Sequence, residues 1–224
     1  MTDVRRWTAV VIYATAMALV ESAVVTYLRV FLDLVDPYQP PPPDVPVWLI
    51  YTEMAREAAT LVMLIAVGWL AGRTWRSRLG YFLIAFGVWD ILYYVFLVPL
   101  SGWPRSLLDW DILFLIPLPW WGPVLAPVSI AALMVAGGTL MSQFGQGEHT
   151  LWPRRWSRRL SLGGGLLALY VFMADALHAA DWSEETLRNL LPARFNWPPF
   201  LVALALMAAP ILDMCRQLWK RPRG

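Results

Sequence analysis

Charged residues are scarce in this chain. They make up 15% of its 224 residues, whereas a soluble domain carries about 25%. Hydrophobic residues reach 58%, and they fall in runs long enough to cross a bilayer. This composition excludes an ordinary soluble domain and predicts an integral membrane protein.

Cysteine and histidine are also rare. The single cysteine, Cys215, excludes an intrachain disulfide and a cysteine-based metal cluster. The two histidines are His149, in a polar loop, and His178, so a bis-histidine haem within the membrane is excluded as well. The net charge of +2 gives no indication of a nucleic-acid partner.

Six apolar runs predict an all-α membrane bundle of about six transmembrane helices in a single domain, residues 1–224. Most of the Lys and Arg residues cluster at the two termini and in two loops, and acids predominate in the loops between these. By the positive-inside rule both termini are cytoplasmic, which predicts a multi-pass protein of the bacterial cytoplasmic (inner) membrane. The predicted spans are 7–31, 47–72, 79–100, 120–142, 160–180 and 197–218.

One apolar segment is unsuited to a helix. "DILFLIPLPWWGPVLAP" (111–127) contains four prolines, each of which removes a backbone donor and clashes with the preceding helical turn. We therefore expect a re-entrant or interfacial segment that leads into the fourth span. Whether residues 105–121 re-enter the membrane is left open by the sequence.

Several ionisable residues lie inside the predicted spans, where they are costly and mark functional sites by default. At 1.5 Å per residue, Glu21, Glu57 and Asp90 lie roughly 15 Å from the outer ends of their helices. Others lie in the same half of the membrane, so we predict one polar pocket there. Its predicted residues are Glu21, Glu53, Arg56, Glu57, Asp90, Tyr94, Asp175 and His178.

Three functions are compatible with such a pocket, and no catalytic residue is assigned. The first is binding or translocation of a proton, a cation or a small polar ligand. The second is a membrane enzyme that uses acid–base chemistry on a lipid or isoprenoid, or a divalent metal. The third is a structural subunit whose partners are other membrane proteins. The candidate metal ligands are Glu21, Glu57, Asp90, Asp175 and His178.

Residues 47–135 resemble a group of uncharacterised bacterial multi-pass membrane proteins. The resemblance rests on "EMAREAATLVML", "FGVWDILYYVFL" and "WDILFLIPLPWWGPVLAP"; it implies the topology and no function. Shorter pieces resemble other families: "DILYY" is similar to a piece of sterol-isomerase-type membrane proteins, and "PWWGPV" to the opening of tryptophan-rich sensory proteins. No residue role is carried over from either.

Overall fold

The computed structural model describes residues 3–32, 46–144, 151–178 and 194–220. Six helices and one β-hairpin make up the described chain. The helices are α1 (Asp3–Phe31), α2 (Val47–Ala71), α3 (Trp75–Ser101), α4 (Leu125–Gln143), α5 (Arg155–Leu177) and α6 (Trp197–Trp219). The strands are β1 (Trp110–Phe114) and β2 (Trp120–Pro123).

All six helices are long and apolar enough to cross a membrane, which confirms the predicted number and places of the long helices. The fourth predicted span differs at its start, because residues 120–123 pair as a strand and α4 begins at Leu125. The last two residues of the fifth predicted span, 179 and 180, lie outside the described residues. Six such helices fit a multi-pass membrane protein.

The third helix is central to one part of the bundle. It packs against α1, α2 and α4, while α5 packs against α6, and α6 against α4. At the end of the bundle where α1 begins, two hydrogen bonds of 3.1 Å connect α1 to other helices. Arg6 donates to the Ala71 carbonyl at the end of α2, and Trp7 donates to Thr139 of α4. We call this end of the bundle the terminal end and the opposite one the hairpin end.

Glycines allow α3 and α4 to approach closely. A Cβ atom on Gly87 would lie 2.5 Å from the Ala131 carbonyl oxygen, and one on Gly138 would lie 2.5 Å from that of Gly80. Small residues at such crossings are typical of membrane helix pairs, because van der Waals packing drives their association. The crossing fixes how α3 is rotated, and therefore which of its side chains point toward α1 and α2.

The proline-rich segment is a β-hairpin. Its antiparallel strands pair Asp111 with Gly122 and Phe114 with Trp120, and prolines lie in the turn, where no ladder donor is needed. The expectation that this segment is not a straight helix is confirmed. The hairpin itself was not anticipated, because the prolines hide the short strand pattern. Its position relative to a bilayer stays a prediction.

Candidate binding cavity

A cavity of about 460 Å³ lies between α1, α2, α3 and the hairpin. We call it the carboxylate cavity. Apolar side chains form most of its wall, and ionisable and phenolic groups form the rest. These are Glu21, Arg29, Glu53, Arg56, Glu57, Asp90, Tyr93, Tyr94 and Asp111.

The guanidinium of Arg56 joins two helices. It donates to Glu53, one turn away on α2, with its Nε atom 2.8 Å from Oε2, and it also pairs with Glu21 of α1. Thr60 Oγ1 donates to the second oxygen of Glu21 at 3.2 Å. One cation thus offsets two carboxylates, and the network links α1 to α2.

The side chain of Glu57 holds the hairpin. Glu57 is buried, and both of its carboxylate oxygens accept the backbone N–H of Leu115, at 3.0 and 2.9 Å. Glu57 is the eleventh residue of α2. The turn of the hairpin therefore meets α2 about 15 Å from the start of that helix. The backbone of the hairpin therefore forms one wall of the cavity at the level of the carboxylates.

Truncating Glu57 should release the hairpin turn. In Glu57→Ala, we expect amide exchange at Leu115 to accelerate by about tenfold or more, because a hydrogen bond to a charged acceptor is lost. Hydrogen exchange measured on purified protein tests this. Asp175→Ala removes an exposed carboxylate from α5 and should leave the rate at Leu115 unchanged. Equal rates in wild type and Glu57→Ala would show that the Glu57 contact does not hold the turn.

The hairpin contributes an acid that sequence reasoning missed. Asp111 is 3% exposed; it pairs with Arg29 at 3.4 Å and accepts a hydrogen bond from the Tyr94 hydroxyl at 3.1 Å. The guanidinium of Arg29 also lies 4.2 Å from the centre of the Trp103 ring. Asp111 is the first residue of the proline-rich segment 111–127, and the expectation that this segment is re-entrant or interfacial does not say which residues it contacts.

The carboxyl group of Asp90 differs from the others. Its Oδ2 atom is buried and has no hydrogen-bond partner in the described part of the chain. Three donors on lining residues are also buried without a partner there: Arg29 Nη1, Trp89 Nε1 and Trp121 Nε1. Buried polar atoms in proteins are normally paired, so these four groups can still form a hydrogen bond or ion pair with a ligand.

Two predicted pocket residues lie elsewhere. Asp175 and His178 are exposed near the end of α5 and do not line the carboxylate cavity. The Nδ1 atom of His178 lies 2.5 Å from the carbonyl oxygen of Ala174 on its own helix. Similar depth in the membrane suggests that these residues converge with the others, but α5 packs mainly against α6 and, to a smaller extent, against β2 of the hairpin. The predicted residues that the cavity does bring together are Glu21, Glu53, Arg56, Glu57, Asp90 and Tyr94.

The described residues do not assemble the candidate metal site. No group of three or more His, Cys, Asp or Glu side chains among them is arranged to hold a metal ion. Glu21 is engaged by Arg56 and Thr60, Glu57 by the Leu115 amide, and Asp175 and His178 lie on another helix. Two-metal carboxylate sites in helical bundles use a Glu-x-x-His motif from each of two helices. In α2, Glu53 is followed by Arg56 at the position where such a motif has its histidine.

The fold and the cavity define a class: an all-α protein whose described residues form six helices, each long and apolar enough to cross a membrane, with buried carboxylates and clustered aromatic residues. No family model, curated protein or solved structure matched the chain. The resemblance of residues 47–135 to bacterial multi-pass proteins therefore stays a prediction, and the function has to be argued from the cavity.

Proposed function

We propose that this protein is a multi-pass protein of the bacterial cytoplasmic membrane that binds a small organic cation in the carboxylate cavity. The observation that carries this proposal is the charge of the cavity wall. It contains five carboxyl groups and two guanidinium groups. Both guanidinium groups are already paired with carboxylates, so the unmatched charge is negative.

Asp90 is the centre of the proposed site. Its Oδ2 atom has no hydrogen-bond partner among the described residues, and an unpaired carboxylate away from water is strongly unfavourable. A cation that reaches Asp90 offsets this cost. A proton is the smallest such cation, but the volume of about 460 Å³ is within the range of small-molecule sites and favours a larger ligand.

Aromatic rings support an organic cation over a metal ion. The rings of Trp89, Tyr93, Tyr94 and Trp121 belong to residues that line the same cavity as Asp90. Faces of aromatic rings attract ammonium groups, and this attraction reaches about 2 kcal/mol when the groups are desolvated. Quaternary ammonium compounds are bound in this way because their methyl groups tolerate an apolar wall.

We also propose which end of the bundle faces the cytoplasm. Arginines crowd the terminal end of the bundle, in the turn after α2 and around the start of α5. The positive-inside rule then assigns the terminal end to the cytoplasm, and the carboxylate cavity lies in the outer half of the membrane.

Choline is a suitable probe, and its neutral isostere 3,3-dimethyl-1-butanol is the matched ligand control. We expect choline to bind to the protein in digitonin, and the neutral alcohol to bind at least about tenfold more weakly, because it lacks the charge. Asp90→Asn should weaken choline binding by about tenfold or more. Isothermal titration calorimetry measures both effects.

Asp175→Asn is the matched control variant, since it makes the same chemical change on the exposed side of α5. It should bind choline as the wild type does. Equal affinity for choline and the neutral alcohol, or unchanged affinity in Asp90→Asn, would refute the cation site.

A structural role is the second candidate, and the Arg56 network favours it. Arg56 ties α1 to α2 through Glu21 and Glu53, and such a network stabilises a bundle without any ligand. The choline titration separates the two functions, because a structural subunit binds neither probe.

A further inference from the structure

A second cavity adjoins the first. It has a volume of about 630 Å³ and lies between α3 and α4 on one side and α5 and α6 on the other. Most of its wall is hydrocarbon, including Leu83, Met134, Leu166 and Ile211. We call it the apolar cavity. A small polar ligand would lose its hydration there and meet few hydrogen-bonding groups, whereas a hydrocarbon chain needs none.

Asp90 lies where the two cavities meet. Its side chain lines both of them, together with Leu113 and Phe114 of the hairpin. A nitrogen paired with Asp90 can therefore carry a substituent into the apolar cavity without leaving the carboxylate. Along α3 the apolar cavity runs from Leu79 to Asp90, about 16 Å at the helical rise, which is the scale of a long alkyl chain.

The far end of the apolar cavity is polar. Arg158, in the first turn of α5, lines the cavity there, and its guanidinium lies 5.6 Å from the centre of the Trp152 ring. The charged groups of the wall thus lie at its two ends, with hydrocarbon between them. The Asp90 end and the hydrocarbon wall beside it match a ligand with a cationic head and an apolar chain, and the chain need not reach Arg158.

We propose that the ligand is a cationic amphiphile, with its ammonium head at Asp90 and its hydrocarbon chain in the apolar cavity. This inference rests on the proposed function, because the head is the cation of the carboxylate cavity. It adds the chemical class of the ligand: a single-chain alkylammonium compound.

Two of the three consecutive glycines of α5, Gly163 and Gly165, provide a sharp test. A Cβ atom on Gly165, which lines the apolar cavity, would meet no atom within 4 Å, so Gly165→Leu fills the cavity without a clash. A Cβ on Gly163 also meets open space, but Gly163 is exposed and does not line the cavity. Gly163→Leu is therefore the matched control on the same helix.

The experiment measures binding of alkyltrimethylammonium ions from butyl to decyl by equilibrium dialysis. Digitonin is the detergent, because it has no straight alkyl chain to occupy the cavity, and empty micelles are subtracted. For wild type and Gly163→Leu, the dissociation constant is calculated from the concentration of free ligand in water. It should fall by about fourfold for each methylene group added to the alkyl chain. For Gly165→Leu, this dependence should be lost over part of the series, while choline binding is retained.

Each outcome is decisive. If choline binds but the chain-length dependence is the same in Gly165→Leu and wild type, the amphiphile inference is overturned and the cation site stands. If both leucine variants lose the dependence equally, the effect does not come from the cavity and the inference also fails. Absence of choline binding in wild type would defeat the proposed function itself.

A second blocking variant covers the case in which Gly165→Leu does not fold. Ser161 lies one helical turn before Gly165, lines the same cavity and shares its face. Ser161→Leu should reduce the chain-length dependence in the same way. An unchanged dependence in this variant would overturn the inference.

Discussion

Replacing Arg56 by alanine is expected to lower the free energy of unfolding by about 3–5 kcal/mol, the cost of breaking a buried charge pair by removing one partner. The Arg56 side chain is 22% exposed, and those of Glu21 and Glu53 are 11% and 20% exposed. The change removes one cation and leaves two carboxylates without it. Thermal or denaturant unfolding in digitonin measures the loss, which should lower the midpoint temperature by about 10 °C.

A triple variant separates loss of the network from loss of side-chain volume. Arg56→Met combined with Glu21→Gln and Glu53→Gln removes all three charges at similar size. Its stability should lie much nearer to that of wild type, because replacing a whole buried ion network is often neutral, whereas removing one member is costly. A midpoint for Arg56→Ala within about 1 °C of wild type would mean that water screens these charges as at a surface.

Placing leucine at Gly87 should separate α3 from α4. A Cβ atom there would lie 2.5 Å from the Ala131 carbonyl oxygen and 2.7 Å from Val135 Cγ2. The first of these neighbours is backbone, so relief of the clash requires the helices to move apart. We expect a loss of about 3 kcal/mol or more, at the upper end of overpacking effects, together with loss of choline binding, because α3 carries Asp90. Size-exclusion chromatography and thermal unfolding test this.

The control for Gly87→Leu is again Gly163→Leu, because a Cβ at Gly163 meets open space. It adds the same side chain to a helix and should not reduce stability, since leucine is a better helix former than glycine by roughly 1 kcal/mol. If Gly87→Leu were monodisperse with the unfolding midpoint of wild type, the close α3–α4 crossing would not exist in solution.

These effects are large because the shape of the cavity depends on helix and hairpin contacts outside the ligand site. Asp90 faces the cavities only while α3 keeps its rotation against α4, and the hydrogen bonds from the Leu115 amide to Glu57 hold the hairpin turn beside α2. A change at Gly87 or at Glu57 therefore acts on the cavity without touching a bound cation. Binding and stability should consequently be measured together for every variant.

Part of the candidate site could be predicted from the sequence because burying charge in an apolar span is so costly. Glu21, Glu53, Arg56, Glu57 and Asp90 stand out as charged residues in apolar runs, and they line one cavity. Arg29 and Asp111 were missed: Arg29 lies at the end of a span, where a charge is unremarkable, and Asp111 lies between two predicted spans. Their pairing depends on the hairpin at the prolines; the prolines predict that the helix is broken there, but not the strand pairing or its register.

The sequence by itself determined the class of the protein and its six long helices. The apolar runs must satisfy their own backbone hydrogen bonds wherever water is excluded, and a helix does this within each run. Only the tertiary structure decided which polar residues meet. Depth along a helix is linear and can be counted, but rotation about the helix axis and the choice of neighbours depend on side-chain packing between distant segments. That packing brings Asp111 of the hairpin to Arg29, places Asp90 between two cavities, and leaves Asp175 and His178 on the outside of α5.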